Sequence, residues 1–268
     1  MQWPTKIRRY LFQRVMRQHK IPLKLWHQTL AEMPLAQAFS GREKLRLRLL
    51  ASTFLTLKTI TPVKGFVLTD EMRVVIAIQA AILLFGLEKP EADSDLDWLR
   101  NWQEIIVYPA AFYNGRSTVF SAKGLLASRS AIESGETQYQ GGIIVAWSDD
   151  QPHPLRKQAN QVLMHEMAHK LDMLDGSSNG HPPLHSNMSD QVWCEVFSDA
   201  YNDLNHQLQQ GHKPKLNPYA ATNPAEFFAV STEYFFEAPE VLSQTFPSVY
   251  HQLTLFYRQN PLLRESSQ

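Results

Sequence analysis

The sequence has a single cysteine, no excess of charge of either sign and no long apolar run, and each shortage excludes a class of protein. One cysteine, Cys194, in 268 residues excludes an intrachain disulfide framework and indicates a reducing compartment. Its neighbours are apolar, so we expect a buried and unreactive thiol. The 26 basic and 26 acidic side chains balance, which gives no sign of direct nucleic-acid binding.

No stretch of the chain is expected to cross a membrane. The longest apolar run, residues 74–85, is interrupted by Gln79 and is too short to span a bilayer. The basic N-terminus lacks the apolar core of a secretory signal. A hydrophobic content of 44% and a charged content of 19% are typical of a soluble globular protein. The sequence therefore predicts a cytoplasmic protein without a transmembrane segment.

Basic charge is concentrated at the N-terminus, where residues 1–24 contain seven lysines and arginines and no acid. Apolar residues recur there at every fourth position: Trp3, Ile7, Leu11 and Val15. This pattern predicts a basic amphipathic helix, which either packs on the acidic body of its own domain or docks on an acidic partner or a membrane surface. We therefore divide the chain into a basic amphipathic segment, residues 1–40, and a main domain with a helical lead-in, residues 41–268.

Periodicity and turn residues predict more helix than strand. Helices are expected near 40–58, 69–86, 155–175, 190–210, 224–237 and 247–259, and strands at 65–68, 104–108 and 142–147. The pattern indicates a helix-dominated α+β fold, in which an N-terminal helical part leads into a metal-binding core with a small sheet. The strand at 142–147 is also a candidate to pair with an extended substrate backbone.

The most informative motif is HEMAH at residues 165–169. It lies in a segment without glycine or proline, so we expect it on a helix, where residues four apart share one face. His165 and His169 can then bind one zinc ion, and Glu166 can take a proton from a metal-bound water. The alternative is a core helix whose histidines are satisfied by hydrogen bonds, but two histidines with this glutamate favour a metal site.

A catalytic zinc site needs a third protein ligand, and the sequence offers two carboxylates. Asp175 stands where one peptidase subclass has its third ligand, although that subclass requires glycine at position 172, which is Asp172 here. Glu226 follows Asn223 and Pro224, an N-cap and a first helical residue. Its carboxylate can either return to the Asn223 backbone as a capping box or reach out to the metal.

Two further carboxylates are candidates for hydrogen bonds to the histidines. Asp172, three residues after His169, either accepts the free ring N–H of that histidine or is a solvated side chain on the helix surface. Glu233 shares a helix face with Glu226, and it either contacts His165 or pairs with a lysine.

Two blocks of sequence resemble the Mlc titration factor A family of zinc metallopeptidases. They are HEMAHKLD at residues 165–172 and YAATNPAEFFAVSTEYFF at residues 219–236. Weaker similarity covers most of the chain after about residue 50, whereas the first forty residues show none. The spacing of tyrosine and glutamate before Phe-Phe-Ala is also similar, more distantly, to that in the catalytic domain of anthrax lethal factor.

The resemblance implies a zincin-like metallopeptidase core of the gluzincin type, with one zinc ion per chain. It assigns His165, His169 and Glu226 as metal ligands and Glu166 as the catalytic base. Tyr219 matches the tyrosine thought to stabilise the oxyanion, a role for which a phenol is suited because it donates a hydrogen bond without adding charge. The alternative for Tyr219 is a loop tyrosine that packs against the start of the helix.

The resemblance also implies aminopeptidase-like activity on small peptide substrates and a protein partner, the glucose repressor Mlc. No residue of this sequence encodes the contact with Mlc. The competing interpretations are a protein-binding regulator that sequesters a transcriptional repressor, with a weak or vestigial zinc site, and a zinc hydrolase for a non-peptide amide. The intact Glu166 argues against a purely structural metal site, which needs no base.

Overall fold

A computed structural model describes residues 21–63, 65–87, 98, 102–109, 141–147 and 154–265. The amphipathic pattern of residues 3–15 lies outside these ranges. The chain divides into two compact units, Met1–Leu163 and Met164–Gln268. The separate N-terminal segment, residues 1–40, stays a prediction.

The first unit contains four helices and a three-stranded sheet among its described residues, before a further helix that reaches into the second unit. The helices are α1 (Leu23–Ala31), α2 (Pro34–Gln37), α3 (Gly41–Leu57) and α4 (Asp70–Leu84). Ser40 starts α3 with a capping box, because its Oγ accepts from the Glu43 N–H while its own N–H donates to the Glu43 carboxylate. Helix α4 is buried along nearly its whole length and packs on α3, as expected for its apolar sequence.

The sheet is parallel, with the order β1 (Thr59–Pro62), β2 (Glu104–Pro109) and β3 (Ile143–Trp147). Ile105 at its centre pairs with Ile143 on one side, and Ile60 pairs with Ile105 on the other. These three side chains are all buried. Within the described ranges β3 pairs only with β2, so the pairing of a substrate with β3 stays a prediction.

The strand predicted at residues 65–68 was wrong. Gly65 there has a left-handed φ of +76°, and the Phe66 N–H donates to the Val63 carbonyl in a turn. The strand lies a few residues earlier, at Thr59–Pro62. Threonine and isoleucine are common in strands, but this element has only four residues and ends in proline, so its sequence gives little sign of it. The pairing with β2 places the strand there, and such a pairing is not visible in local composition.

The second unit is helical. After α5 (Pro154–Asp172), which contains the boundary between the units, its helices are α6 (Asp190–Gln209), α7 (Pro224–Glu237), α8 (Pro239–Thr245), α9 (Pro247–Tyr257) and α10 (Pro261–Glu265). Short 3₁₀ turns lie at Met173–Asp175 and Pro218–Ala221. All six predicted helices are confirmed to within a few residues, and the shorter α1, α2, α8 and α10 were not predicted.

Aromatic side chains form the core of the second unit. Trp193 of α6 stacks on Phe197 at 4.2 Å between ring centroids, and its edge packs on Phe228 of α7 and Phe256 of α9 at 5.9 and 5.6 Å. Fully burying a ring of this size contributes about 1.5–3 kcal/mol. This core fixes α7 against α6 and α9.

Cys194 is exposed, so the prediction of a buried thiol was wrong. Trp193 and Phe197 point inward from α6, whereas Cys194 lies about a quarter of a turn around the helix from this buried stripe and faces solvent. Composition alone does not resolve which helix face a residue occupies.

None of the described helices combines the length and the hydropathy needed to cross a bilayer.

Candidate metal centre

Helix α5 carries the HEMAH motif in its second half. The residues between and beside the motif positions are buried, namely Leu163, Met164, Met167, Ala168 and Leu171. His165 is 2% exposed, and the side chain of His169 is 13% exposed. The i, i+4 spacing places both imidazoles on the same side of the helix, with ring centroids 4.7 Å apart.

The start of α7 brings a carboxylate to this pair. Asn223 is the N-cap, and its Oδ1 accepts the Glu226 N–H at 2.9 Å. The carboxylate of Glu226 lies against the histidine rings, with Oε2 3.0 Å from Nε2 of His165. The capping-box interpretation of Glu226 was therefore wrong, because the asparagine alone caps the helix. Phe227 and Phe228, both buried, anchor this first turn.

Three donor atoms converge on one point. Nε2 of His169 lies 3.1 Å from Nε2 of His165 and 3.4 Å from Oε2 of Glu226. The three atoms all lie within 4.8 Å of one another, and this is the group of metal-binding side chains found in the described part of the chain. Oε2 of Glu226 is buried and forms no hydrogen bond of ordinary geometry with either ring. The two Nε2 atoms and Oε2 of Glu226 thus lie around a common centre.

The spacing of these atoms fits a zinc ion. Ligand atoms at the usual ~2.1 Å from a tetrahedral zinc lie about 3.4 Å from one another. The observed separations of 3.0, 3.1 and 3.4 Å approach that value. Two imidazoles and one carboxylate are also a donor set that zinc accepts in catalytic sites.

Glu233 supports the first histidine. Its Oε1 accepts a hydrogen bond from Nδ1 of His165 at 2.5 Å, and both side chains are buried. A carboxylate in this position orients the ring and leaves Nε2 to face the metal. Of the two interpretations of Glu233, contact with His165 is therefore the one that the structure shows.

The electrostatics of the metal-free site follow from these contacts. Burial opposes protonation of His165, but the carboxylates of Glu226 and Glu233 outweigh burial and raise the pKa of the ring well above its usual value. Burial also disfavours an ionised Glu226, yet the imidazoles of His165 and His169 hold the pKa of its carboxyl far below the usual range. Both shifts favour a protonated His165 beside an ionised Glu226 when no metal is bound.

Zinc binding at pH 7 is expected to release about one proton from His165, because the raised pKa keeps that ring charged until a metal displaces the proton. Below the His165 pKa, zinc affinity should therefore fall roughly tenfold per pH unit. Calorimetric titration with Zn²⁺ in buffers of different ionisation enthalpy counts the protons. Glu233→Gln removes one of the carboxylates that raise the pKa of His165. Zinc binding to this variant should therefore release fewer protons than zinc binding to wild type. Equal heats in all buffers would contradict this account.

Asp172 behaves as neither interpretation predicted. It is fully buried rather than solvated, and its Oδ2 accepts the Gly180 N–H at 2.8 Å. Oδ1 of Asp172 and Nδ1 of His169 have no hydrogen-bond partner among the described residues, so the expected bond between them is absent there. Burial raises the pKa of Asp172 to about 6, although the Gly180 N–H and His169 act against this rise.

Asp175 is exposed and lies in the 3₁₀ turn after α5. Its Oδ1 accepts the Ser177 N–H at 2.9 Å, a contact within its own loop. Gly176 ends this turn with a left-handed φ of +97°. The structure therefore does not bring Asp175 to the histidines.

Tyr219 and Glu166 complete the neighbourhood of the histidines. Tyr219 lies in the 3₁₀ turn that precedes α7, and Asn217 starts this turn by accepting the Tyr219 N–H at 3.0 Å. The ring of Tyr219 lies 6.1 Å from that of His165, between centroids. Glu166 is partly exposed on α5, so solvent reaches its side chain.

The helical fold and the histidine–glutamate cluster are typical of proteins with an HExxH metal site. Residues 6–258 match the model of one family, the glucose-regulated metallo-peptidase M90. Similar proteins are the Mlc titration factor A of Yersinia pestis (strain Pestoides F) and that of Yersinia pseudotuberculosis serotype O:1b (strain IP 31758). Each is 37% identical over 243 residues, which cover 89% of this chain and 86% of the relative. The chain belongs to the glucose-regulated metallo-peptidase M90 family.

The resemblance noted in the sequence is thus confirmed, and its extent was underestimated. The family match begins at residue 6, so the N-terminal residues that showed no resemblance also belong to it. Many unrelated proteins contain basic amphipathic segments, so this pattern alone does not indicate a family.

Proposed function

We propose that this protein is a zinc-dependent peptidase of the gluzincin type, with one metal ion per chain held by His165, His169 and Glu226. The convergence of two Nε2 atoms and one carboxylate oxygen within 4.8 Å carries the proposal. The description of the family as metallo-peptidases supports it. When bound, zinc supplies Lewis acidity that polarises a carbonyl and lowers the pKa of a coordinated water.

Glu166 is the proposed general base. It lies between the two histidines in the sequence and is partly exposed, so its carboxylate is accessible to a water molecule and to a substrate. The carboxylate takes the proton of the attacking water and returns it to the departing amine. His165 stays oriented throughout, because Glu233 holds its Nδ1–H.

Tyr219 is the proposed donor to the oxyanion. A phenol hydroxyl can donate a hydrogen bond to the oxygen that becomes negative as the carbonyl is attacked, and it brings no charge of its own. The position of its ring beside His165 supports this role over that of a tyrosine that only packs on the helix.

Tyr219→Phe is expected to lower kcat about 10²-fold and to leave zinc affinity unchanged, because it removes one hydrogen-bond donor and no ligand. Tyr234→Phe is the matched control, since the Tyr234 hydroxyl donates to the Lys215 carbonyl at 3.4 Å. Steady-state kinetics on one peptide and a zinc titration make the comparison. A Tyr219→Phe protein as active as the control would remove Tyr219 from the reaction.

Peptide hydrolysis should depend on the metal. The chelated protein is expected to leave a library of small peptides intact, and one equivalent of Zn²⁺ should restore cleavage, followed by mass spectrometry. Cleavage of single residues from the N-terminus would establish the aminopeptidase-like activity that we propose. A zinc-loaded protein that cleaves no peptide would contradict the proposal, and an amide library would then test a non-peptide substrate.

A second candidate function is regulation through Mlc, because the relatives are named for titration of Mlc. The protein would then bind that transcriptional repressor and withhold it from its sites. Titration of purified Mlc with the zinc-loaded and metal-free proteins tests this idea. Binding by both forms, together with absence of peptide cleavage, would favour the regulator.

Either function is consistent with the cytoplasmic location that we propose from the single cysteine.

A further inference from the structure

Gly180 lies in the loop between α5 and α6, which the proposed mechanism does not use. It is buried and has a left-handed φ of +78°. Its N–H donates to Oδ2 of Asp172 at 2.8 Å, and its carbonyl accepts Nε1–H of Trp193 at 3.0 Å. Both polar groups of this residue are thus held by buried side chains.

The remaining side of Gly180 faces the start of α7. A Cβ added at this position would lie 2.4 Å from the carbonyl oxygen of Pro224 and 2.9 Å from its carbon. Only a residue without a side chain fits this space and also adopts this φ without strain. Gly180 and the first turn of α7 are therefore in direct backbone contact.

Each contact of Gly180 leads to an element of the metal centre. Asp172 lies on α5, three residues after His169. Pro224 lies two residues before Glu226 on α7. Trp193 packs with its edge on Phe228, which follows Glu226 on the same helix. The loop is thus fixed to the helix with the two histidines and abuts the helix with the third ligand.

We propose that Gly180 is a positioning residue for the metal centre: it sets the separation between the end of α5 and the first turn of α7, and with it the distance from Glu226 to the two histidines. This inference rests on the proposed role of these three residues as metal ligands. Gly180 itself touches neither metal nor substrate.

Gly180→Ala tests the inference through zinc affinity. To reach an ordinary separation of about 3.4 Å from the new Cβ, the Pro224 carbonyl would have to recede by roughly 1 Å. Metal sites tolerate ligand displacements of only about 0.2 Å. We expect the folded variant to bind Zn²⁺ about 10–100-fold more weakly than wild type, as for substitutions of other residues that hold metal ligands in place. Competition with a chromophoric chelator measures this affinity. The absorption spectrum of the Co²⁺-loaded variant should change as well.

Gly176→Ala is the matched control. Gly176 belongs to the same loop and also has a left-handed φ, +97°, but an added Cβ there would meet no atom within 4 Å. It therefore strains the backbone without pushing on α7. Its zinc affinity should stay close to that of wild type, even if both variants lose thermal stability. An equal loss of affinity in the two variants would overturn the inference, and so would a folded Gly180→Ala protein with wild-type affinity.

Trp193→Phe keeps the test decisive if Gly180→Ala fails to fold. It removes the donor to the Gly180 carbonyl, and it keeps an aromatic ring in the core, although a smaller one. We expect zinc affinity to fall several-fold, and an unchanged affinity would overturn the inference. Failure of the proposed metal site looks different, since wild type itself would then bind no zinc before any variant is compared. Failure of the proposed peptidase activity alone would leave the comparison of zinc affinities unchanged.

Discussion

Glu166→Gln is expected to lower kcat for peptide hydrolysis by about 10²–10⁴-fold while the protein still binds one zinc ion per chain. Glutamine has nearly the shape of glutamate but cannot accept the proton of the attacking water. Helix α5 and the two histidines should be unaffected, because Glu166 is partly exposed and is not one of the three converging ligands.

Glu195→Gln is a suitable control for this change. Glu195 is an exposed glutamate on α6 whose carboxylate accepts a hydrogen bond from Gln191, and its replacement should alter neither kcat nor zinc content. Steady-state kinetics and metal analysis on all three proteins distinguish the outcomes. Equal hydrolysis by wild type and Glu166→Gln would end the proposed mechanism, whereas inactive wild type with bound zinc would favour the regulator.

Glu226→Ala is expected to weaken zinc binding by about 10³-fold, a loss of about 4 kcal/mol. The substitution removes the anionic ligand and leaves two imidazoles that do not close a catalytic site on their own. It also removes one of the carboxylates that raise the pKa of His165, so the metal-free ring should titrate at lower pH than in wild type.

Asp175→Asn is the comparison that decides between the two carboxylates. Asp175 is exposed, and its side chain accepts a hydrogen bond from Ser177, so this variant should retain the zinc affinity of wild type. Competition titrations with a chelator measure both variants. Weak zinc binding by Asp175→Asn together with tight zinc binding by Glu226→Ala would show that Asp175 is the third ligand. It would refute the site proposed above.

The helices that hold the candidate site were predictable because their signals are local. The segment around HEMAH contains good helix formers and ends near Gly176, and α5 with its following turn occupies that segment. Asn223 and Pro224 mark the start of α7, and the helix begins there. In each case residues within a few positions of one another determine the backbone conformation.

Predictions failed where the outcome depends on a distant partner. The strand at Thr59–Pro62 is defined by its pairing with β2, and its four residues, which end in proline, are too few to give a clear strand pattern. The sequence predicted Asp172 on α5 to be either solvated or hydrogen-bonded to His169, whereas the fold buries it against the Gly180 N–H. Cys194 was predicted to be buried, but it is exposed, because the side of α6 that packs on the core is the one with Trp193 and Phe197.

The sequence by itself determined the six longest of the described helices, the pairing of His165 with His169 on one helix face, and membership of a metallo-peptidase family, since these depend on neighbouring residues and on motifs. Only the tertiary structure decided which carboxylate meets the two rings, that Glu233 supports His165 from 68 residues away, and that Gly180 abuts the start of α7. Contacts between distant segments form only when the aromatic core packs the helices together, and local sequence does not encode them.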